Sequence, residues 1–115
     1  MSLPPEHQSF LEAKGSVVGR LRVLPPGEVA AIQNDVYDET RNNLIEAKGS
    51  GTRASIRMAI GQLGDYGRFA HNAARAVLLP ARPRPDLEEL LVVHAISAVW
   101  PDDASFVDNA QGRFV

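Results

Sequence analysis

The sequence predicts a mixed α/β fold, one mixed sheet flanked by helices, in the order α-β-β-β-α-β-α-β. Three observations predict it. Residues 29–48 hold two strand-like runs around a polar turn, which is a hairpin. Residues 53–100 alternate helix-like and short apolar runs, the pattern of β-α-β crossovers. The bulk composition, 115 residues with 44% hydrophobic and 23% charged, is that of one globular domain with a single core, taken as residues 1–115.

Pro5 to Lys14 reads as a short helix, with proline tolerated at its start and Gly15 as its stop. Val17 to Leu24 alternates apolar and basic residues, as a half-exposed strand does. Pro25-Pro26-Gly27 is a turn. Val29 to Tyr37 and Leu44 to Lys48 are the hairpin strands around residues 38–43. Leu44, Ile45 and Ala47 are apolar on both parities, so the second of them is expected in mid-sheet.

Gly49-Ser50-Gly51-Thr52 ends that strand and supplies an N-cap for a helix from Arg53 to about Phe69. Its core stripe is Ile56, Ala59, Ile60 and Leu63. Gly61, Gly64 and Gly67 each weaken it by up to ~1 kcal/mol relative to alanine. Their spacing of three fits either a face that meets another backbone or simple tolerance. Arg75 to Leu79 is a short buried strand, Pro80 to Pro85 a proline-rich loop, and Asp86 a cap for a helix to about Val93. Ala95 to Trp100 is a strand, residues 101–104 turn, and Ser105 to Asp108 adds an edge strand. His94 and Trp100 read as core or sheet packing.

Composition also excludes. With no cysteine there is no disulfide framework, thiol nucleophile or Cys-based zinc site, and a reducing compartment is compatible with this. His7, His71 and His94 lie too far apart in sequence to form a ligand pair on one helix. The longest apolar candidate, Leu87 to Trp100, carries Glu88, Glu89 and His94, so no membrane partner is expected. No signal-peptide layout opens the chain. Met1-Ser2-Leu3 has the look of an expression remnant, so a longer natural chain is allowed for.

The net charge of −2 is unevenly spread. Residues 41–75 carry six basic groups against two acidic ones, a net +4, while residues 1–40 and 76–115 each carry −3. A local basic stretch attracts phosphate, although a solvated helix face has the same composition.

That stretch contains a chemically suggestive pattern. If the hairpin turns between Thr40 and Arg41, Tyr37 faces Leu44 and Asp35 faces Glu46. Residues two apart on a strand share a face, so Lys48 joins Glu46. Two carboxylates and an ammonium then meet, which is a cation site beside a basic group and suits attack of water on a phosphodiester. Like charges directly opposed destabilise a sheet, which argues against an incidental pairing of Asp35 with Glu46. Asp38 is the rival first carboxylate, on the opposite parity and in the turn, where Asp is common for backbone reasons.

An acidic residue on a hairpin, then Glu-x-Lys on a central strand, then a helix, resembles the PD-(D/E)XK nuclease superfamily. Gln62 and Tyr66 in QLGDY, four apart and so on one helix face, resemble the Gln-x-x-x-Tyr signature of its RecB-like branch. DVYDETRNNLIEAKGS, IRMAIGQLGDYGRF and RAVLLPARPRPDL look like restriction-endonuclease-like domains of bacterial DNA-defence proteins, over about Glu12 to the C-terminus. Asn34 departs from the pattern where the superfamily name has proline, and Gly64 and Gly67 sit in the helix that would position substrate.

The resemblance implies a Mg²⁺-dependent DNA endonuclease, with Mn²⁺ able to substitute, in a cytoplasmic setting. Asp35, Glu46 and the Ala47 carbonyl would hold one or two ions. Lys48 would orient or deprotonate the attacking water, or stabilise developing charge. Gln62 and Tyr66 would hydrogen-bond a phosphate or base, and Arg53 and Arg57 would contact the DNA backbone or stay solvated. Glu12 is a further metal candidate, with an ordinary exposed helical acid as the blander reading. So small a domain would rely on a homodimer or an added recognition domain. The alternative is a catalytically inactive nucleic-acid-binding or structural module of the same fold.

Overall fold

The computed structural model describes residues 3–115; of the segment read as an expression remnant, Met1 and Ser2 lie outside the described residues. The fold is mixed α/β: one six-stranded sheet, a separate two-stranded ribbon and three helices. Helix α1 (Leu3–Ala13) precedes β1 (Val18–Gly19), β2 (Arg22–Val23), β3 (Ile32–Gln33), β4 (Val36–Asp38) and β5 (Asn43–Ala47). Helix α2 (Arg53–Gly67), β6 (Ala74–Leu78), α3 (Pro85–Val93), β7 (Ile96–Asp102) and β8 (Ser105–Asp108) follow.

The sheet order is β1-β4-β5-β6-β7-β8. Tyr37 pairs with Leu44 and Val36 with Ile45, so the β4–β5 hairpin is centred between Thr40 and Arg41 as expected. β5, β6 and β7 run parallel, joined by crossovers through α2 and α3. Successive crossovers of one hand in one direction put both helices on the same face. Leu44, Val77, Ile96 and Ala98 meet Ile56, Ala59 and Leu63 of α2 and Leu87 and Leu91 of α3 there. Strand alternation sends Val36, Ile45, Ala76, Leu78 and Val99 to the other face, against Leu11 of α1, Phe106 and Phe114. Four of the five β5 residues are buried, which makes it the central strand.

Several expectations are corrected. The runs 17–24 and 29–37 are not continuous strands. Each breaks in two, so that β1 and β4 stay in the sheet while β2 and β3 leave it as a ribbon. Asn34 is the cause: the Leu21 amide donates to its Oδ1 at 2.6 Å, and its Nδ2 donates to the carbonyls of Val36 at 2.6 Å and Ile45 at 3.3 Å. One buried side chain thus replaces ladder bonds where the backbone diverges.

Asp86 does not cap α3. Arg84 holds the N-cap position without a side-chain bond and Pro85 opens the helix, which leaves Asp86 in its first turn. The turn expected at 101–104 shrinks to Asp103-Ala104 because β7 runs through Pro101 to Asp102. There β7 has passed the end of β6, so the missing proline N–H is not needed. His94 is not core but an exposed C-cap of α3. Trp100 is partly buried against the α2–α3 core. Gly61 and Gly64 face open space, and a Cβ at Gly67 would only touch Arg75 at 3.4 Å. The glycine spacing therefore marks tolerance rather than a close helix contact.

The last residues are tied down by polar groups. Arg41 donates to the carbonyls of Gly112, Arg113 and Val115 and to Asp38. Asp108 receives the amides of Ala110, Gly112 and Phe114, and buried His7 bonds the Phe114 carbonyl at 3.0 Å. Burial holds the His7 imidazole below its ordinary pKa. No helix among the described residues is long and apolar enough to cross a membrane.

Candidate cation and phosphate site

Three elements meet where β5 ends. β5 presents Glu46, the segment entering β4 presents Asp35, and α2 presents Gln62 and Tyr66. Glu46 shares the parity of Leu44 and so faces the α2 layer, where it is 4% exposed.

Asp35 and Glu46 interlock. The Asp35 amide donates to Glu46 Oε1 at 3.4 Å, and the Ala47 amide donates to Asp35 Oδ2 at 2.9 Å. The Asp35 carboxylate therefore stands where a β4 carbonyl would continue the ladder, since Asn34 has turned the backbone away. An extended residue sends its N–H and C=O to the same side, so the Ala47 carbonyl lies on the Asp35 side too. Burial, followed by the charge and the close approach of the Asp35 side chain, pushes the Glu46 carboxyl up to about 7, with Lys48 pulling the other way. Two carboxylates and a main-chain carbonyl are the oxygen donors that hard divalent cations take. Among the described residues no group of three or more His, Cys, Asp or Glu side chains is placed to hold a metal ion.

Lys48 is half-buried, and its amide still bonds the Leu78 carbonyl at 3.0 Å. It forms no ion pair with Glu46 among the described residues, so its ammonium is near the pair without being tied to it. With Asp35 and Ala47 it borders an open groove of about 570 Å³ that reaches Leu3 and Pro4 of α1 and Pro80. Glu46 does not line this groove; it sits on the other side of the strand end.

Gln62 and Tyr66 are both half-buried on α2. Burial, then the charges of Glu46, Asp35 and Asp65, hold the Tyr66 hydroxyl above its usual pKa, while the neighbouring Gln62 side chain acts in the opposite sense. Gln62 Oε1 is buried and has no partner among the described residues. Thr52 caps this helix, accepting from the Ser55 amide at 3.2 Å, and so sets its register over the sheet.

The other candidates stand apart. Arg53 pairs with Asp86 of α3 and lies about 20 Å from Tyr66 along the helix axis. Arg57 is exposed one turn on. Glu12 is exposed near the end of α1, about 13 Å along the axis from Leu3, the end that borders the groove. Asp38 is in β4, not in the turn. It is fully buried and occupied by Ser16 Oγ, the Arg41 amide and Arg41 Nε, so it has a structural job.

Asn34 escaped sequence reasoning as a positioning residue. Its signal was an asparagine inside a strand-like run, where asparagine is disfavoured unless its side chain replaces backbone bonds. Comparison of the chain with family models, with curated proteins and with solved structures finds no match.

Proposed function

We propose that this domain hydrolyses phosphodiester bonds in DNA with a divalent cation, Mg²⁺ or in its place Mn²⁺, held by Asp35, Glu46 and the Ala47 carbonyl. The observation that carries this reading is the interlocked Asp35–Glu46 pair at the end of the central strand, with Gln62 and Tyr66 over it from α2. Holding the buried Glu46 carboxylate against the half-buried Asp35 is costly without a counter-charge. The donor set suits Mg²⁺, which is held by one or two carboxylates and keeps its remaining positions for water and phosphate. The cation, when bound, would polarise the phosphate and stabilise the leaving oxygen.

The chain's own groups supply the rest. The free Lys48 ammonium orients the attacking water or offsets charge developing at the phosphorus. Gln62 and Tyr66 hold a phosphate oxygen or base edge, and the unpartnered Gln62 Oε1 has an acceptor to spare for a base amine. Arg57 is free to meet the backbone, and Arg53 would have to leave Asp86 to do so. The reading extends to a restriction-endonuclease-like, PD-(D/E)XK fold acting in bacterial-type DNA defence in the cytoplasm. A second subunit or a further domain would supply sequence recognition.

One observation favours a second reading, a nucleic-acid-binding module without catalysis: Asp35 Oδ2 is already engaged by the Ala47 amide. Plasmid nicking in Mg²⁺ or Mn²⁺, against EDTA and Glu46→Gln, decides between them. Metal-dependent nicking that the substitution abolishes is expected. DNA binding with neither nicking nor Mn²⁺ binding would leave the second reading.

A further inference from the structure

The β2–β3 ribbon stands outside the six-stranded sheet, and its two sides differ. Along β2 and its flanks, Arg20, Arg22 and Leu24 are exposed while Leu21 and Val23 turn inward. Leu21 packs against the same core as Leu44, Tyr37 and Tyr66. The ribbon's root is thus fastened on the face that carries Glu46. Gln33 lies opposite Arg22 and is also exposed. The strands carry no acid; Glu28, beyond Pro25-Pro26-Gly27, is the ribbon's sole carboxylate. Arg20 and Arg22 have no ion-pair partner among the described residues.

The ribbon is also held in direction. Asn34 joins its base to β4 and β5 through bonds to Leu21, Val36 and Ile45, and the next residue is Asp35. The ribbon that bears the unpaired Arg20 and Arg22 is therefore joined through Asn34 to the segment that carries Asp35. Arg22 is in β2 and Arg20 is in the link that leads into it, and two residues of extended chain span at most about 7 Å, close to two steps of a nucleic-acid strand at about 3.4 Å each. We infer that this ribbon docks the DNA backbone beside the carboxylate pair, with Arg20 and Arg22 each contacting a phosphate. The inference rests on the proposed function for its choice of polyanion.

The test is fluorescence anisotropy of a labelled duplex with the whole chain in EDTA, over a salt series. It compares wild type, the Arg20→Ala/Arg22→Ala double variant and an Arg84→Ala control on the exposed start of α3. Both ribbon arginines are exposed, so the fold should persist, and an unchanged thermal melt confirms it. The plot of log affinity against log salt should lose about 1.8 of its slope in the double variant, at about 0.9 per phosphate, and keep it in the control. An unchanged slope overturns the inference. So does a wild type that binds Mn²⁺ but no DNA, an outcome that leaves the metal site standing. A slope loss without Mn²⁺ binding upholds the ribbon and sinks hydrolysis instead. If the slope is unchanged and Leu24→Asp/Val29→Asp lowers the mass in light scattering, the ribbon holds a second copy and the inference fails.

Discussion

The amide of Asp35 donates to Glu46 Oε1 at 3.4 Å, while the amide that follows Glu46 donates to Asp35 Oδ2 at 2.9 Å. Each carboxylate is thus placed by the backbone of the other's strand. This exchange fixes the pair without a salt bridge and leaves the remaining oxygens for a ligand.

The pair gives the metal-free protein a pH dependence with a definite sign. Glu46 has its carboxyl raised from 4.5 to about 7 in the fold. A raised acid contributes its stability below the unfolded value, and that contribution is lost as pH rises from 4.5 through 7. The loss is about 3 kcal/mol at about 1.4 kcal/mol per unit. Urea unfolding of wild type should therefore show a fall between pH 5 and 8 that Glu46→Gln lacks. Added Mg²⁺ should raise the melting temperature more at pH 8 than at pH 5.5. A wild-type curve parallel to that of the variant would refute the buried pair.

Asp35→Asn separates the structural and ligand roles of that residue. Its side-chain oxygen can still accept from the Ala47 amide, so stability should stay within about 0.5 kcal/mol at neutral pH or rise. Mn²⁺ binding and nicking should be lost. Asp35→Ala should in addition cost about 1 kcal/mol, because the amide loses its partner. Calorimetric Mn²⁺ titration beside urea unfolding of both variants reads this directly.

Asn34→Ala removes three hydrogen bonds of a residue that is 1% exposed. It should destabilise the fold by about 2–4 kcal/mol. Hydrogen exchange at Leu21 should speed up well before the core opens, as the ribbon comes loose. Asn34→Pro should be no better, since it also deletes the Asn34 amide that donates to the Leu21 carbonyl at 3.0 Å.

Gly61→Ala with Gly64→Ala should stabilise the protein by up to about 1 kcal/mol per site, because α2 gains helix propensity and the new methyls meet nothing within 4 Å. Nicking should be retained, since Gln62 and Tyr66 keep their helix face. A lower melting temperature would show that the glycines serve the native state.

Arg41→Met should be among the most destabilising surface changes, at about 3 kcal/mol. It strands Asp38, whose side chain is 1% exposed, and frees three carbonyls of residues 112–115. Amides of residues 109–115 should lose hydrogen-exchange protection first.

The amino-acid pattern alone made legible the elements whose signals are local. The Leu44–Ala47 run, the Thr52 cap, the Ile56–Leu63 stripe and the hairpin centre at Thr40-Arg41 all follow from periodicity, capping and parity, which act within a few residues. It also put Asp35 opposite Glu46, because a hairpin's register is fixed by its turn. The folded chain settled the rest through long-range bonds. It broke two expected strands at Asn34, because a buried amide found partners 13 and 11 positions away. It gave Asp38 to Arg41 rather than to the site and moved His94 to the surface. It also left Lys48 free of Glu46 and lifted an arginine-bearing ribbon out of the sheet. Such outcomes depend on which polar groups are buried together, and a local pattern signals that only where, as at Asn34, a residue is out of place in its run.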